Sequence, residues 1–435
     1  MSSSPKIQAP KGTADVLPAE VWRWHAVERV AREVAEVYHF GEIRTPVFEH
    51  TDLFHRGVGE GSDIVRKETF TFDDRGGESM TLRPEGTAGV VRAMIESGLL
   101  NDQGARAKVY YVGPNFRYER PQKGRLRIHH QFGVEAFGVA EPEQDVECIL
   151  LQMDFYRRCG LRDVSLRINS LGDRESKSRY RDVVKAFFLS RADKLSEDSQ
   201  RRLGENPLRI LDSKDPRDVE ARDGVPAAND SLSDRSRRHL ERVMHLLDEE
   251  VARKQFTYSV DHTLVRGFDY YTDTLWEVVA GGLGAQNAVG GGGRYDNLVE
   301  QLGGRPTPGV GFGSGIERLL IALEAQQVAL PNVGKPLVWL IAQGDAAKPV
   351  VWRLLTELRA AGVACDTDLS GRGMKGQLKL ADAAKAARAI IIGDNELAEQ
   401  KVALRDLKTR DQTLVPIDGL PQRLGPLLGA DGRQD

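Results

Sequence analysis

Past a cluster of Pro, Asn and Gly at residues 331–336, the chain falls into a strict alternation of apolar strand-like runs and helices. Residues 337–342 are apolar, 346–361 have helical spacing, 363–367 read as a strand, 375–387 as a helix and 389–393 as a strand. Two more strands, 401–407 and 413–417, precede a short last helix. Elements of this length and order can bury their apolar faces only as helices packed on a sheet, so residues 336–430 predict a small α/β domain. A chain of 435 residues is too long for one ordinary core, and residues 1–330 follow a different rhythm.

In that first part, Val27, Val30, Val34 and Tyr38 fall at helical spacing within residues 19–38. Pro18 is suited to begin that helix and Gly41 to end it. Residues 43–48 read as a strand, and Pro46 inside it implies an edge or a bulge. A helix feeding an edge strand is a unit that can join two copies of a chain. Residues 109–112 and 134–137 are apolar and flank a very basic stretch, which predicts an antiparallel hairpin with a long charged loop. From 173 to 250 acids and bases nearly balance, and helical spacing returns in 180–188 and 239–247. This predicts a helical insertion with solvated faces. Strands are expected at 256–260 and 275–279, a glycine-rich turn at Gly290 to Gly293, and a glycine-rich strand running into a helix over 309–323.

Composition narrows the function classes. With 40% hydrophobic and 29% charged residues, the chain has the make-up of a soluble globular protein. No run of about 18 apolar residues is present, so no membrane span is expected, and the first residues lack the apolar core of a secretory signal. Cys148, Cys159 and Cys365 lie far apart without a C-x-x-C pair. They predict buried free thiols in a reducing, cytoplasmic setting. A net charge of −3 neither requires nor excludes nucleic acid, since one basic surface suffices for phosphates.

Four stretches carry chemistry. In residues 116–127, Arg117, Arg120, Lys123, Arg125 and Arg127 crowd one loop. Such a loop can clamp phosphates, and an Arg at its strand base can hold a phosphoryl group with bidentate geometry. A charged hairpin tip is the plainer reading; the alternation of Arg117 and Glu119 on one rigid face favours the functional one. In residues 81–87, Glu85-Gly86-Thr87 can open a helix while Glu85 accepts hydrogen bonds from an ammonium group, or can serve simply as a cap and turn. In residues 264–272, Tyr270 and Tyr271 beside Arg266 and Asp269 combine ring surfaces with polar groups, as small-molecule pockets do; the end of a core strand would look the same. In residues 309–319, glycines precede Arg318. The run lacks the third glycine and acidic partner of a dinucleotide fingerprint, and Gly290 to Gly293 lacks the Lys-Ser/Thr of a P-loop. Glycines there can let backbone approach a flat base, with Arg318 facing phosphates. His129 and His130 have no cysteine or carboxylate at ligand spacing, which favours a structural or RNA-facing role over a metal site.

Together these stretches resemble the class II aminoacyl-tRNA synthetases, and over about residues 6–425 the histidyl-tRNA synthetases of bacterial type. Phe116 to Glu119 with Gly133 to Glu135 resembles the second class II motif, Gly309 to Arg318 the third, and the helix and strand around Pro46 the first. Those motifs leave the amino acid open. Leu264 to Tyr271 resembles the histidine-specific signature, and Ala288 to Asp296 a further segment of the histidyl enzymes. The departure is Arg127-Ile128-His129-His130-Gln131, where the bacterial pattern reads Arg-Gln-Phe-His-Gln; Gln131 is kept, and only acceptor-stem contact at 128 and 129 is put in question.

The resemblance implies an α+β fold. Its class II catalytic domain, 1–330, has an antiparallel sheet flanked by helices and contains the 173–250 helical insertion over the tRNA acceptor stem. A C-terminal α/β anticodon-binding domain follows at 336–430, in a cytoplasmic homodimer. It implies ATP with Mg²⁺, L-histidine and the histidine tRNA as ligands. By position, Glu85, Gly86 and Thr87 with Gln131 would hold the α-amino end of histidine. Arg117 would contact the carboxylate and the α-phosphate, and Glu119 the adenine side of ATP. Glu135 and Tyr271, with Tyr270 nearby, would read the ring nitrogens. Arg266 would stabilise the α-phosphate and Arg318 the γ-phosphate. Fixed arginines suit this reaction because negative charge grows on the phosphoryl oxygens. An acid opposite a phenol matches the one donor and one acceptor of a neutral imidazole, so an editing site is unnecessary. Two other readings remain: a non-catalytic synthetase-like regulator of histidine biosynthesis or tRNA sensing, and a class II synthetase for threonine, proline or glycine. A regulator typically loses the histidine signature and the C-terminal domain, both present here.

Overall fold

The computed structural model describes residues 6–59, 62–122, 124–254, 256–284, 287–331 and 336–429. The chain divides into two compact units, Met1–Pro331 and Asn332–Asp435.

The first unit opens with α1 (Val21–Val37), which buries Val27, Ala31 and Val34 along one stripe. The helix begins later than Pro18, because Leu17 carbonyl first accepts the Glu20 amide in a turn at 2.9 Å. The strand expected over 43–48 is broken into β1 (Gly41–Glu42) and β2 (Phe48–His50). Pro46 has no N–H to give a ladder, and the Arg83 guanidinium satisfies the carbonyls of Thr45 and Pro46 instead, at 3.2 and 3.4 Å. After α2 (Thr51–Val58) and α3 (Asp63–Lys67) come β3 (Phe70–Asp73) and β4 (Ser79–Leu82), which complete a small sheet in the order β2-β4-β3. Next is α4 (Thr87–Glu96).

The expected basic hairpin is formed by β5 (Ala107–Phe116) and β6 (Ile128–Phe137), paired from Ala107↔Phe137 to Phe116↔Ile128. They are followed by α5 (Pro142–Arg158) and β7 (Val164–Ser170), then by the charged segment. That segment holds α6 (Arg174–Leu189), α7 (Glu197–Glu205), α8 (Pro216–Ala221) and α9 (Asp234–Lys254). Asp173, Ser196 and Asp215 cap the first three through their side chains, satisfying amides that a helix start leaves open. Tyr180, Val184, Phe188 and Ile210 give the segment a core of its own, whereas Leu240, Val243 and Leu247 of α9 belong to the main core.

The chain then runs through β8 (Thr257–Val260), β9 (Thr272–Ala280), β10 (Ala288–Arg294), α10 (Leu298–Gln301), β11 (Gly309–Gly315) and α11 (Ile316–Ala325). The main sheet has the order β1-β5-β6-β11-β10-β9-β7-β8. It is antiparallel except at its edges, where β1 joins β5 and β8 joins β7 in parallel. Gly290 to Gly293, expected to turn, instead lie inside β10 and pair with β11 on one side and β9 on the other. Glycine favours turns locally, but here two long neighbours supply ladder bonds, and the space over the strand is taken by side chains from elsewhere. The main core, with α1, α5 and α11 against the sheet, includes Val27, Phe132, Phe155, Trp276 and Leu319. Each fully buried side chain of this size contributes about 1.5–3 kcal/mol.

The second unit comprises β12 (Val338–Ala342), α12 (Ala347–Ala360), β13 (Cys365–Thr367), α13 (Met374–Ala383), β14 (Arg388–Ile392), α14 (Asp394–Ala398), β15 (Lys401–Asp406), β16 (Gln412–Pro416) and α15 (Leu420–Gly429). Its sheet runs β13-β12-β14-β15-β16, parallel through the first three strands and antiparallel beyond. Successive residues of β12 face opposite ways. Leu340 packs with Leu354 and Leu424 on one face, and Trp339 with Ala381 on the other. Part of the linker, residues 332–335, lies outside the described residues. The three cysteines are free and buried. Among the described residues, no helix is long and apolar enough to cross a membrane.

Candidate active site

The start of α4 builds one wall. Glu85 accepts the backbone amides of Thr87 and Ala88 at 2.6 and 2.9 Å, so its carboxylate sits on the positive end of the helix. Burial pushes its pKa up, and the two amide bonds pull it back. A carboxylate has about four lone-pair sites, so both oxygens keep capacity for a ligand.

The floor is Glu135, third from the end of β6 and buried. Its Oε1 accepts the Thr87 hydroxyl at 2.8 Å and the Tyr111 phenol at 3.3 Å. Its Oε2 accepts the phenol of Tyr295. Burial raises the pKa of this acid to about 8 against those bonds. Neighbouring β11 makes room by carrying Gly311, whose Cβ, if present, would lie 2.1 Å from Glu135 Oε2 and 2.2 Å from the Val134 carbonyl.

Rings form the other wall. Tyr270 stacks on Phe268 at 5.1 Å and meets Tyr271 at 4.8 Å and Tyr295 at 5.8 Å. Burial pushes the Tyr271 phenol up to about 12, so it is a neutral hydrogen-bond donor. Its ring lies against bare backbone: a Cβ on Gly293 would fall 2.7 Å from Tyr271 Cδ1.

Tyr295 is fixed by its neighbour. Arg294 is fully buried and reaches Asp145 of α5 with Nη2 at 2.6 Å and Nε at 3.1 Å. It also donates to the carbonyls of Val139 and Glu141 and to Asp296. His239 of α9 shares Asp145 at 3.2 Å. Such a pair is held only because its remaining hydrogens are satisfied.

Cations line the open side. Arg117 donates from Nε to the Pro84 carbonyl at 2.8 Å and lies 5.6 Å from the Phe268 ring centroid. The expected alternation of Arg117 and Glu119 along a strand is not found. β5 stops at Phe116, and the Glu119 amide turns back to the Arg117 carbonyl at 2.8 Å. The two side chains still approach to 3.9 Å, and Arg125 pairs with Glu119. Arg127 sits 3.9 Å over the Tyr118 ring and Arg120 is exposed, so only part of the basic stretch faces the pocket. Lys123 lies outside the described residues. Arg266 pairs with Glu277 of β9 at 2.7 Å and reaches β10 near Gly291. Arg318 of α11 donates to the Ala288 carbonyl. Gln131 accepts Asn115 at 2.7 Å. His130 is committed to Glu317, Nδ1 to Oε1 at 3.0 Å, and to the edge of Trp24. Burial, helped by Arg117, keeps His129 neutral.

The structure therefore brings together Glu85, Thr87, Glu135, Tyr270, Tyr271, Arg117 and Arg266, drawn from four separate stretches. It adds Tyr111 and Tyr295, which sequence reasoning missed. The signal for Tyr295 was its place two residues after the glycine run, within the 288–296 segment that resembles the histidyl enzymes.

Known proteins resemble the chain over nearly its whole length. Residues 12–319 match the family model described as histidyl-tRNA synthetase, and residues 327–425 match that of an anticodon binding domain. The chain is 48% identical to the histidine–tRNA ligase of Moorella thermoacetica, over 94% of this chain and 95% of that protein. It is 47% identical to the one from a Geobacillus species, over 96% and 99%. The crystal structure of apo S. aureus histidyl-tRNA synthetase superposes with a TM-score of 0.79 at 36% identity, covering 96% of this chain and 99% of that one.

Proposed function

The chain belongs to the histidyl-tRNA synthetase family, and from that premise we infer that it is an aminoacyl-tRNA ligase joining histidine to its tRNA at the expense of ATP. In the first step a histidine carboxylate oxygen attacks the α-phosphorus and pyrophosphate leaves. In the second, a ribose hydroxyl of the tRNA 3′-terminal adenosine attacks the acyl carbon and AMP leaves.

We propose that the pocket floored by Glu135 binds the imidazole. The observation carrying this is a buried acid held by three hydroxyls, Thr87, Tyr111 and Tyr295, with the Tyr111 and Tyr295 rings packed in one buried cluster with Tyr270 and Tyr271. Imidazole titrates at about 6.5, below the value of about 8 for Glu135. At neutral pH the free acid carries a proton and the free ring none. Their complex then holds one proton between two partners, which an apolar or purely accepting side chain cannot reproduce. A wrong amino acid offers the buried Glu135 proton no acceptor, at a cost of about 1–3 kcal/mol.

In this reading Glu85, Gly86, Thr87 and Gln131 hold the α-amino end. Arg117 and Arg266 bracket the α-phosphate, Glu119 faces the adenine side and Arg318 the γ-phosphate. The arginines are anchored by Pro84, Glu277 and Ala288, so their charge needs no reorganisation as the transition state forms. ATP is expected to arrive with a divalent ion, which we assign as Mg²⁺. Glu119 and Glu277 are committed to Arg125 and Arg266, which supports an ion carried on the nucleotide phosphates.

The second unit would read the anticodon and the insertion would contact the acceptor stem. A cytoplasmic homodimer is also proposed. Support comes from Val47, Phe48 and Phe72, exposed by 41%, 49% and 46%, with the two phenylalanine rings 6.4 Å apart on the small sheet; such a patch is suited to a second copy. Sedimentation of the purified chain tests it. The test of the activity is ATP–pyrophosphate exchange with each common amino acid. Exchange with histidine alone is expected; exchange with another and none with histidine would overturn the reading, and none at all would favour the regulator.

A further inference from the structure

Residues 264–271 belong to two apolar cores at once. Leu264 and Val265 sit in the core of the insertion, whereas Tyr270 and Tyr271 sit with Tyr111 and Tyr295 beside the pocket. Between these ends the segment has no helix or strand, so its shape depends on what holds its backbone.

Much of that hold comes from the insertion. The Lys177 ammonium of α6 donates to the carbonyls of Asp269 and Tyr271 at 2.5 and 2.9 Å. Asn206, the residue just after α7, donates from Nδ2 to Asp269 Oδ1 at 2.8 Å. A cavity of about 440 Å³ lies between, lined by Lys177, Asn206, Arg209, Arg266 and Asp269 among others. Beside that cavity, these polar contacts join α6 and the residue after α7 to the segment. An ammonium has three donors and no acceptor, so two carbonyls one residue apart in alternation use it as a clamp, with charge-assisted strength.

We propose that Lys177 and Asn206 are positioning residues that hold segment 266–271 in its substrate-binding shape, so that the seating of the insertion sets the affinity of the amino-acid pocket. This rests on the reading of the pocket given above. Neither residue is assigned a contact with histidine or ATP. By linkage, an RNA that shifts the insertion changes histidine affinity, and histidine changes RNA affinity by the same factor.

The test uses the full chain without tRNA. Lys177→Met is expected to raise the histidine KM in pyrophosphate exchange by about tenfold while the ATP KM changes by less than about twofold, because Arg266, though in the same segment, is held separately by Glu277. Lys177→Arg, which keeps a cation, should recover part of the loss. Asn206→Ala should raise the histidine KM less, and it removes only one side-chain contact should Lys177→Met fold poorly. Backbone hydrogen exchange gives an arm independent of activity: amides of 266–271 should exchange faster in both variants. Unchanged exchange there, an unchanged histidine KM in an active protein, or equal rises in both KM values would overturn the proposal. Faster exchange in a chain that activates no histidine would leave the clamp standing and remove the functional reading instead.

Discussion

Tyr295, one residue beyond β10, donates its phenolic hydrogen to Glu135 of β6 across the intervening strand β11. The bond crosses Gly311, which is paired with Glu135 on one side and Gly293 on the other. Removing the hydroxyl while keeping the ring leaves a buried acid one donor short. Tyr295→Phe is therefore expected to cost about 1–3 kcal/mol of stability and to raise the histidine KM. Urea denaturation and pyrophosphate exchange check the two effects, and an unaltered KM would remove Tyr295 from the site.

The elevated pKa of Glu135 fixes two pH dependences. For kcat/KM with histidine, a rising limb near the imidazole value of about 6.5 and a falling limb near 8 are expected. Glu135→Gln should abolish the upper limb along with most activity. For stability, the folded-state pKa lies above the ordinary 4.5, so between 4.5 and 8 the unfolded chain binds fewer protons. Stability of the parent then falls as pH rises through that window and levels off above it. Glu135→Gln lacks this slope. Melting temperatures from pH 5 to pH 9 should drift in favour of the variant; a gap that moves the other way would contradict the raised pKa.

Arg266→Ala should lower the single-turnover rate of adenylate formation by about a hundred- to a thousandfold, the loss seen when one fixed donor to a developing oxyanion is removed. The fold should persist, since Arg266 is part-exposed and its partner Glu277 can reach solvent. Circular dichroism separates the two. A near-parent rate would take Arg266 out of the chemistry.

Arg294→Met targets structure instead of chemistry. Asp145 would be left buried with only His239 beside it, and breaking such a pair costs about 3–5 kcal/mol. A loss below about 1 kcal/mol in denaturation would show that water or His239 replaces the guanidinium.

A chain ended at Pro331 keeps every residue assigned to the amino acid and ATP, because the two units are separately compact. Adenylate formation should stay within about tenfold of the full chain, and tRNA charging should fall much further. Equal losses would argue against the second unit as the tRNA reader.

Much of this could be seen in the sequence, for physical reasons that differ by region. The second unit was legible because apolar spacing within each short element and the linker prolines are local signals. Arg117 stood out because its stretch is more basic than a loop requires, whereas Glu85 and the Tyr270–Tyr271 pair had plain local readings as a cap and a strand end and were picked out only through the resemblance of all four stretches together. The glycines of β10 misled, since their preference for turns is local while the ladders that overrule it come from β9 and β11. Tyr111 looked like one more apolar member of a strand, and its hydroxyl has meaning only once Glu135 is seen beneath it. Asp145 and Arg294 are 149 residues apart, and nothing near either one announces the other. The break after Phe116 depends on a backbone turn at Glu119 that alternation alone could not foresee.

The pairing of Gly291 with Gly313 and of Gly293 with Gly311 leaves bare peptide between β10 and β11, and this has an evolutionary corollary. A surface made of main chain offers nothing to mutate except by adding bulk, and at Gly293 and Gly311 added bulk meets a tyrosine ring or a carboxylate. On the proposed reading of the site, drift in amino-acid preference is thereby confined to the few groups standing over that surface. On that reading, a descendant of this chain that accepted another amino acid would exchange the acid and the phenols together.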